Sequence, residues 1–370
     1  MSSKNISILG IRGIPANHGG FETFAERLAL FLVKNNWNVT VFCQVKVGNK
    51  IHEEYWNKVK LVKIPIKTEG SLGTILFDFK TVLFTRRHCS GIVLTLGYNT
   101  AIFNCLLKIR KIVNIINMDG LEWKRRKYNI IQKLWLFINE KAGAVFADHL
   151  IADNPEIEKR LKIISNKSKK ITMLPYGAEI FDIKSKDEHK ILNDLNIIKP
   201  YIIIVARPVE ENNIYEIVKG FSKKKRNHKL LVFGDYNKKV FYQKKVLDIA
   251  SKEVIFLGAI YDLSILTTIR KNAKLYIHGH SVGGTNPALV EAMSCALPIL
   301  AHNNPFNKWV AGENSEYFSN QFDIEEKIES IINNKNKLIR MSTYSKSRFD
   351  KNFKWEKILE DYEKLFLSFN

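Results

Sequence analysis

The residues most able to do chemistry lie in one run, Tyr276-Ile-His278-Gly-His280-Ser-Val-Gly283-Gly284-Thr285-Asn286-Pro287-Ala-Leu-Val-Glu291-Ala-Met293. Its pattern is strand, Gly-rich turn, helix. Pro287 suits the first helical turn, where its missing N–H costs nothing, and Thr285 or Asn286 supplies the N-cap oxygen. The free N–H groups at Gly284–Asn286 and the positive end of the helix favour a phosphate. Glu291, about one turn further on, brings a carboxylate to which ribose hydroxyls can donate. This is chemistry for a nucleotide. The same residues would also serve as a plain turn before a helix with a solvated Glu.

Familiar nucleotide motifs do not fit. Gly279 and Gly284 have P-loop separation, but Thr285 stands where the P-loop needs Lys. The first turn, Gly10-Ile-Arg12-Gly13-Ile-Pro15, lacks the G-x-G-x-x-G spacing, and the strand after it ends in Cys43-Gln44 without an acidic residue for a ribose. Both departures weigh against a nicotinamide enzyme. There is no Asp-x-Asp triplet and no oxygen-ligand cluster, so no catalytic metal and no cofactor are expected.

Asp119 follows the strand-like run Ile115–Met118. It reads as a carboxylate that orients or deprotonates an acceptor hydroxyl, or as a cap for the turn at Leu121–Trp123; Glu122 is the alternative carboxylate. His18, in the first Gly-rich loop, is a candidate contact to acceptor or donor. His280 is a candidate pocket contact, whereas His278 at the strand end belongs to the core. Tyr176 marks the crossover between halves. Trp123-Lys124-Arg125-Arg126-Lys127-Tyr128 sets four cations between aromatics, a composition suited to anionic lipid headgroups.

These residues need a scaffold. Asn5–Gly10 reads as a strand, Ile11–Gly20 as a loop, Phe21–Asn36 as a helix and Asn38–Gln44 as a strand, which is a βαβ unit. Val59–Ile64, Gly91–Leu96, Val113–Asn117, His149–Ala152 and Ile171–Leu174 continue the series. After a polar stretch, Lys184–Lys199, it restarts with Tyr201–Ala206, Lys229–Phe233, Val254–Leu257, Leu275–His278 and Pro298–Ala301. The expectation is an α/β chain of two doubly wound domains, residues 1–180 and 190–350. An amphipathic helix over 353–370 would pack back on the first, and ligands would bind at the carboxyl ends of the strands.

The 370 residues suffice for two cores, and 45% hydrophobic with 26% charged residues is globular composition. No run approaches the ~18 apolar residues of a membrane span, and the N-terminal residues lack a signal-peptide pattern. Four scattered cysteines, Cys43, Cys89, Cys105 and Cys295, read as reduced thiols. The expected location is the cytoplasm. The net charge is +21, with 28 Lys/Arg against 14 Asp/Glu up to Ile180 and 30 against 23 beyond it. The excess in the first half points to an anionic surface. Lipid headgroups are preferred to nucleic acid, because no nucleic-acid-reading module is present. A non-catalytic basic protein that binds nucleotide or nucleic acid is the alternative class, and a sugar-nucleotide epimerase a third.

The chain resembles the retaining glycosyltransferases of family 4, and most closely the bacterial polysaccharide rhamnosyltransferases. The resemblance rests on Arg12–Phe24, Asn117–Lys124, Leu150–Asp153, Pro175–Ala178, Arg207–Asn213 and His278–Pro287. It implies the GT-B fold, two Rossmann-like domains facing a central cleft, with the acceptor on the first and the nucleotide sugar on the second. It implies that Gly19 and Gly20 bring backbone close to the donor diphosphate and that Arg207 neutralises this group as it leaves. The family's Lys a few residues after that Arg is Asn212 here, which leaves Arg12 as a candidate second group. Glu291 matches the second Glu of the family's Glu-x7-Glu, and Gly283 stands where the first would be, so the amides of Gly283–Thr285 substitute for it. Glu22, like His18 and His280, becomes a contact for acceptor or sugar. The base is expected against Leu257–Ile260, at Gly258. The resemblance further implies dTDP-β-L-rhamnose as donor, a lipid-linked oligosaccharide as acceptor and retention of configuration. No metal is expected to take part, and the basic run Trp123–Lys127 is expected to attach the chain to the inner face of the plasma membrane. Transfer from a UDP-sugar is the alternative within the same class.

Overall fold

The computed structural model describes residues 4–16, 19–48, 50–110, 112–179 and 185–369. They form two units. The first comprises the residues up to Lys124, then Tyr128–Pro175 and the chain from Glu356; the second comprises Arg125–Lys127 and Tyr176–Trp355.

The first unit is an eight-stranded sheet of β1 (Asn5–Leu9), β2 (Asn38–Val45), β3 (His52–Trp56), β4 (Val59–Pro65), β5 (Ile92–Leu96), β6 (Val113–Asn117), β7 (His149–Ala152) and β8 (Lys170–Met173). Their spatial order is β3-β4-β2-β1-β5-β6-β7-β8, all parallel except β3 against β4. Central strands such as β5 are buried along their whole length, the pattern of a parallel sheet covered on both faces. β3 is an addition to the strands expected from the sequence. Its residues are mostly exposed, and it is held as an edge hairpin by a two-residue turn in which Asn57 and Lys58 both take positive φ. At the point where the order reverses, between β1 and β5, Gly10 has φ +84 and any Cβ there would lie 2.2 Å from the Leu96 carbonyl oxygen.

The last helix, Trp355–Leu367, closes this unit from Glu356 onward. Tyr362 and Phe366 are fully buried. The Tyr362 ring lies 4.9 Å from Phe24 and its hydroxyl accepts from Asn117 Nδ2 at 3.0 Å, while Phe366 meets Trp37 edge-on at 6.0 Å. Large buried aromatics are the strongest packing elements available to so short a helix.

The second unit carries β9 (Tyr201–Val205), β10 (Lys229–Phe233), β11 (Val254–Gly258), β12 (Leu275–His278), β13 (Ile299–His302) and β14 (Glu316–Phe318), in the order β11-β10-β9-β12-β13-β14 and parallel throughout. Alternate residues feed two cores: Tyr201, Ile203, Leu231 and Tyr276 enter one, and Ile202, Ile204, Leu230 and Leu275 the other. The strand order reverses between β9 and β12, which is where open α/β sheets bind ligands. The polar stretch read as a connection contains a helix, Ser185–Asp194, whose Leu192 enters the first of these cores.

Candidate active site

The turns that follow β9 and β12 are stitched together at the switch point. Arg207 leaves β9, and Glu210–Asn212 form one helical turn after it. Asn212 Nδ2 donates to the Arg207 carbonyl at 2.8 Å, and its Oδ1 lies 2.7 Å from His280 Nδ1. Ser281 donates both its N–H and its hydroxyl to the Glu211 carbonyl, each at 2.9 Å, and Asn213 Nδ2 donates to the Gly279 carbonyl at 2.7 Å. A Cβ at Gly279 would fall 1.9 Å from the Asn212 carbonyl oxygen, so only glycine permits this approach.

Beside this stitch opens a cavity of about 550 Å³, within the range of small-molecule sites. Arg207, His280, Glu291 and Asn286–Ala288 line it, together with Arg125 and Ala259–Tyr261. Asn286 caps the helix Pro287–Ser294 by accepting from Ala288 N–H at 3.0 Å, with Pro287 at its first position. Glu291 accepts from Arg270 at 2.5 Å; Arg270 comes from the helix Leu263–Lys271 and its side chain is only 4% exposed. Sequence reasoning misses Arg270, since its own surroundings in the chain give no sign of a distant carboxylate partner. His280 is held well below the usual imidazole range, down to about 3, first by desolvation and then by the charges of Arg125 and Arg207. It is neutral at physiological pH, as is buried His278. A wider depression of about 730 Å³ lies over Ser342–Lys351, but its Lys346 and Asp350 are paired with each other at 2.7 Å.

Several expected positions differ. Among the described residues, Gly258, Gly283, Gly284 and Thr285 do not line the cavity. The Gly258 carbonyl accepts from Gly234 N–H at 2.9 Å, and Ala259 N–H donates to Asp235 Oδ1 at 2.9 Å, so the Ala259 N–H is already engaged and does not read a base edge. Arg125 does not face outward with the basic run. Its side chain is 12% exposed and lies 3.5 Å from the carboxylate of Glu211, which is itself 3% exposed. Trp123 is half-buried and packs edge-on against Phe137 at 5.5 Å, with the Arg160 guanidinium 5.6 Å from its ring, so it is a packing residue. Lys124, Arg126 and Lys127 are exposed. Tyr176 packs on Trp355 at 4.6 Å.

In the first unit the Gly-rich loop is braced by two carboxylates. Arg12 N–H donates to Glu22 at 3.4 Å and Ala16 N–H to Glu26 at 2.5 Å. Gly19 has φ +106 and opens the helix Gly20–Lys34; a Cβ there would lie 2.2 Å from Glu22 Oε2. Glu22 therefore shapes the loop, and the Arg12 side chain is exposed. His18 lies outside the described residues. Asp119 sits just beyond β6 with φ +39, in the left-handed region that non-glycine residues rarely occupy, and its N–H donates to Asn117 Oδ1 at 3.1 Å. Among the described residues no three His, Cys, Asp or Glu side chains converge to hold a metal ion, and the four cysteines are free.

Two Rossmann-like sheets, the second with a switch-point cavity, are the architecture of the GT-B fold. Anabaena HepE, solved in complex with UDP and glucose, shares this fold at TM-score 0.75 and 13% identity, over 99% of this chain and 100% of that one. Residues 185–348 match the family "Glycosyl transferases group 1", and residues 3–179 match a domain of unknown function, DUF1972. A capsular polysaccharide biosynthesis glycosyltransferase of Staphylococcus aureus is 25% identical over 92% of both chains. An uncharacterized glycosyltransferase of Methanocaldococcus jannaschii is 22% identical over 94% of both. Residues 185–348 thus carry the likeness to the group 1 glycosyltransferases.

Proposed function

We propose that the chain transfers L-rhamnose from dTDP-β-L-rhamnose to a lipid-linked oligosaccharide, with retention and without metal, in the synthesis of a bacterial surface polysaccharide. The observation that carries the donor site is the switch-point cavity of the second unit, where a cation, Arg207, and a carboxylate, Glu291, line one space. The phosphates lie toward Arg207 and the N-terminus of the helix Pro287–Ser294, the ribose at Glu291, and the base against Ala259–Tyr261. In the first unit, Gly19 and Gly20 serve the diphosphate and Asp119 orients the acceptor hydroxyl. The bond from C1 to the diphosphate breaks, the acceptor oxygen bonds to C1 on the same face, and its proton leaves toward Asp119. Retention from a β-donor makes the product a β-L-rhamnoside. The rhamnose assignment rests on the resemblance carried by Arg12–Phe24, Asn117–Lys124 and His278–Pro287.

A donor panel with an undecaprenyl-diphosphate glycan acceptor tests this reading. Transfer is expected from dTDP-rhamnose, in the presence of EDTA, with UDP competing. Transfer from UDP-hexoses and none from dTDP-rhamnose would overturn the donor while leaving the transferase; complete loss on chelation, restored by Mn²⁺, would overturn the metal-free reading. A UDP-sugar is the second reading, favoured by HepE, which was solved with UDP and glucose.

The acceptor's lipid puts the enzyme on an anionic membrane face, in this reading. No described helix is long and apolar enough to cross a membrane. The helix Ile130–Phe146 instead exposes Ile130, Ile131 and Leu134, at 83%, 75% and 59%. Its one acid, Glu140, is buried against Arg160, so its exposed charges are cationic. Lys124, Arg126 and Lys127 precede it. Each cation near an anionic surface contributes about 1 kcal/mol. Replacing these three by Gln is therefore expected to cut binding to phosphatidylglycerol vesicles by roughly 100-fold in a sedimentation assay. Equal binding to neutral vesicles would remove the electrostatic account.

A further inference from the structure

Asn212 occupies the position from which a second cation would reach a diphosphate, and its neutral amide holds the Arg207 carbonyl on one side and the His280 ring on the other. The neutral His280 supplies no charge either. A sugar nucleotide nevertheless brings two negative charges, and the leaving diphosphate gains more. Arg207 alone does not balance them.

We propose that Arg125 is the second cation of the diphosphate site, held toward the cavity by Glu211. This rests on the donor reading above. Three observations support it. Arg125 lines the same cavity as Arg207. Its partner Glu211 is buried at the base of the stitched turns, with its carbonyl fixed by both donors of Ser281, so the carboxylate stands on a rigid support. Arg125, Arg207 and His280 line one cavity, and the charges of both guanidinium groups act on the His280 ring. A planar guanidinium fork suits phosphate oxygens. A cation held before the substrate arrives needs no reorganisation when the diphosphate departs.

The experiment compares dTDP with thymidine by ligand-observed NMR and calorimetry on the full chain. Wild type, Arg125→Gln and the double variant Arg125→Gln/Glu211→Gln are measured. The double variant leaves neither charge buried and unpaired, so the comparison survives even if the single one folds poorly. In both variants the Kd for dTDP is expected to rise roughly 10- to 100-fold, as for loss of a hydrogen bond to a charged group, while the Kd for thymidine stays unchanged. The salt dependence of dTDP binding should also weaken. Unchanged dTDP affinity in the double variant would mean that Arg125 only neutralises Glu211, and the proposal falls. Equal losses for dTDP and thymidine would mean that the cavity has collapsed, and the proposal falls then too. A wild-type chain that binds thymidine and no nucleoside diphosphate overturns the donor reading and this proposal together, and is told apart from the other outcomes because it appears before any substitution.

Discussion

Arg207→Ala is expected to lower kcat by about 10²- to 10³-fold, the cost of losing one preorganised group at developing charge. KM should move far less. Negative charge on the diphosphate grows as the bond to C1 lengthens, so a cation there stabilises the transition state more than the bound donor. The backbone under Arg207 is well fixed, because its carbonyl accepts from both Val209 N–H and Asn212 Nδ2 at 2.8 Å. The side chain itself is exposed in the open cavity, so truncation should leave the thermal midpoint unchanged. Arg207→Lys is expected to recover only part of the rate, since an ammonium is a point charge without the planar fork. Steady-state kinetics with saturating donor decides the matter. A raised KM at unchanged kcat would make Arg207 a ground-state binder and remove it from the chemistry.

Glu291 should show two separable effects. Glu291→Gln is expected to weaken binding of nucleoside and nucleoside diphosphate alike by roughly 10- to 100-fold, because a charged acceptor for ribose hydroxyls is lost. This pattern differs from that of Arg125, where only the diphosphate should suffer. Glu291→Ala adds a folding penalty by leaving Arg270 buried without its carboxylate. Breaking a wholly buried pair costs about 3–5 kcal/mol. Glu291 keeps 31% of its side-chain surface, which brings the expectation to about 2 kcal/mol, or roughly 4–8 °C in Tm. Calorimetric scans of both variants beside their titrations separate the two. Full affinity for the nucleoside in a folded Gln variant would take the ribose away from Glu291 and leave it as the counter-ion of Arg270.

The sequence by itself determined the alternation of strands and helices. Buried parallel strands such as Ile92–Leu96 and Tyr201–Val205 are apolar runs, broken in the first only by Thr95, and the helices between them carry apolar residues at helical spacing. It also marked the turns at Gly10–Gly20 and His278–Pro287, because glycine and proline act on the local backbone and their effect is legible locally. Edge elements are not legible in this way: β3 has little buried face to leave a period in the chain, and β14 spans only three residues. The partners of charged side chains were decided by the tertiary structure alone. Arg125 stands among Lys124, Arg126 and Lys127 and looks like one of them, yet it is drawn inward because the carboxylate of Glu211, 86 residues away in sequence, is buried and needs a counter-ion. Arg270 and Glu291 meet for the same reason. Apolar spacing is a local signal, whereas the pairing of a buried charge depends on which strands become neighbours, and only the fold brings those together.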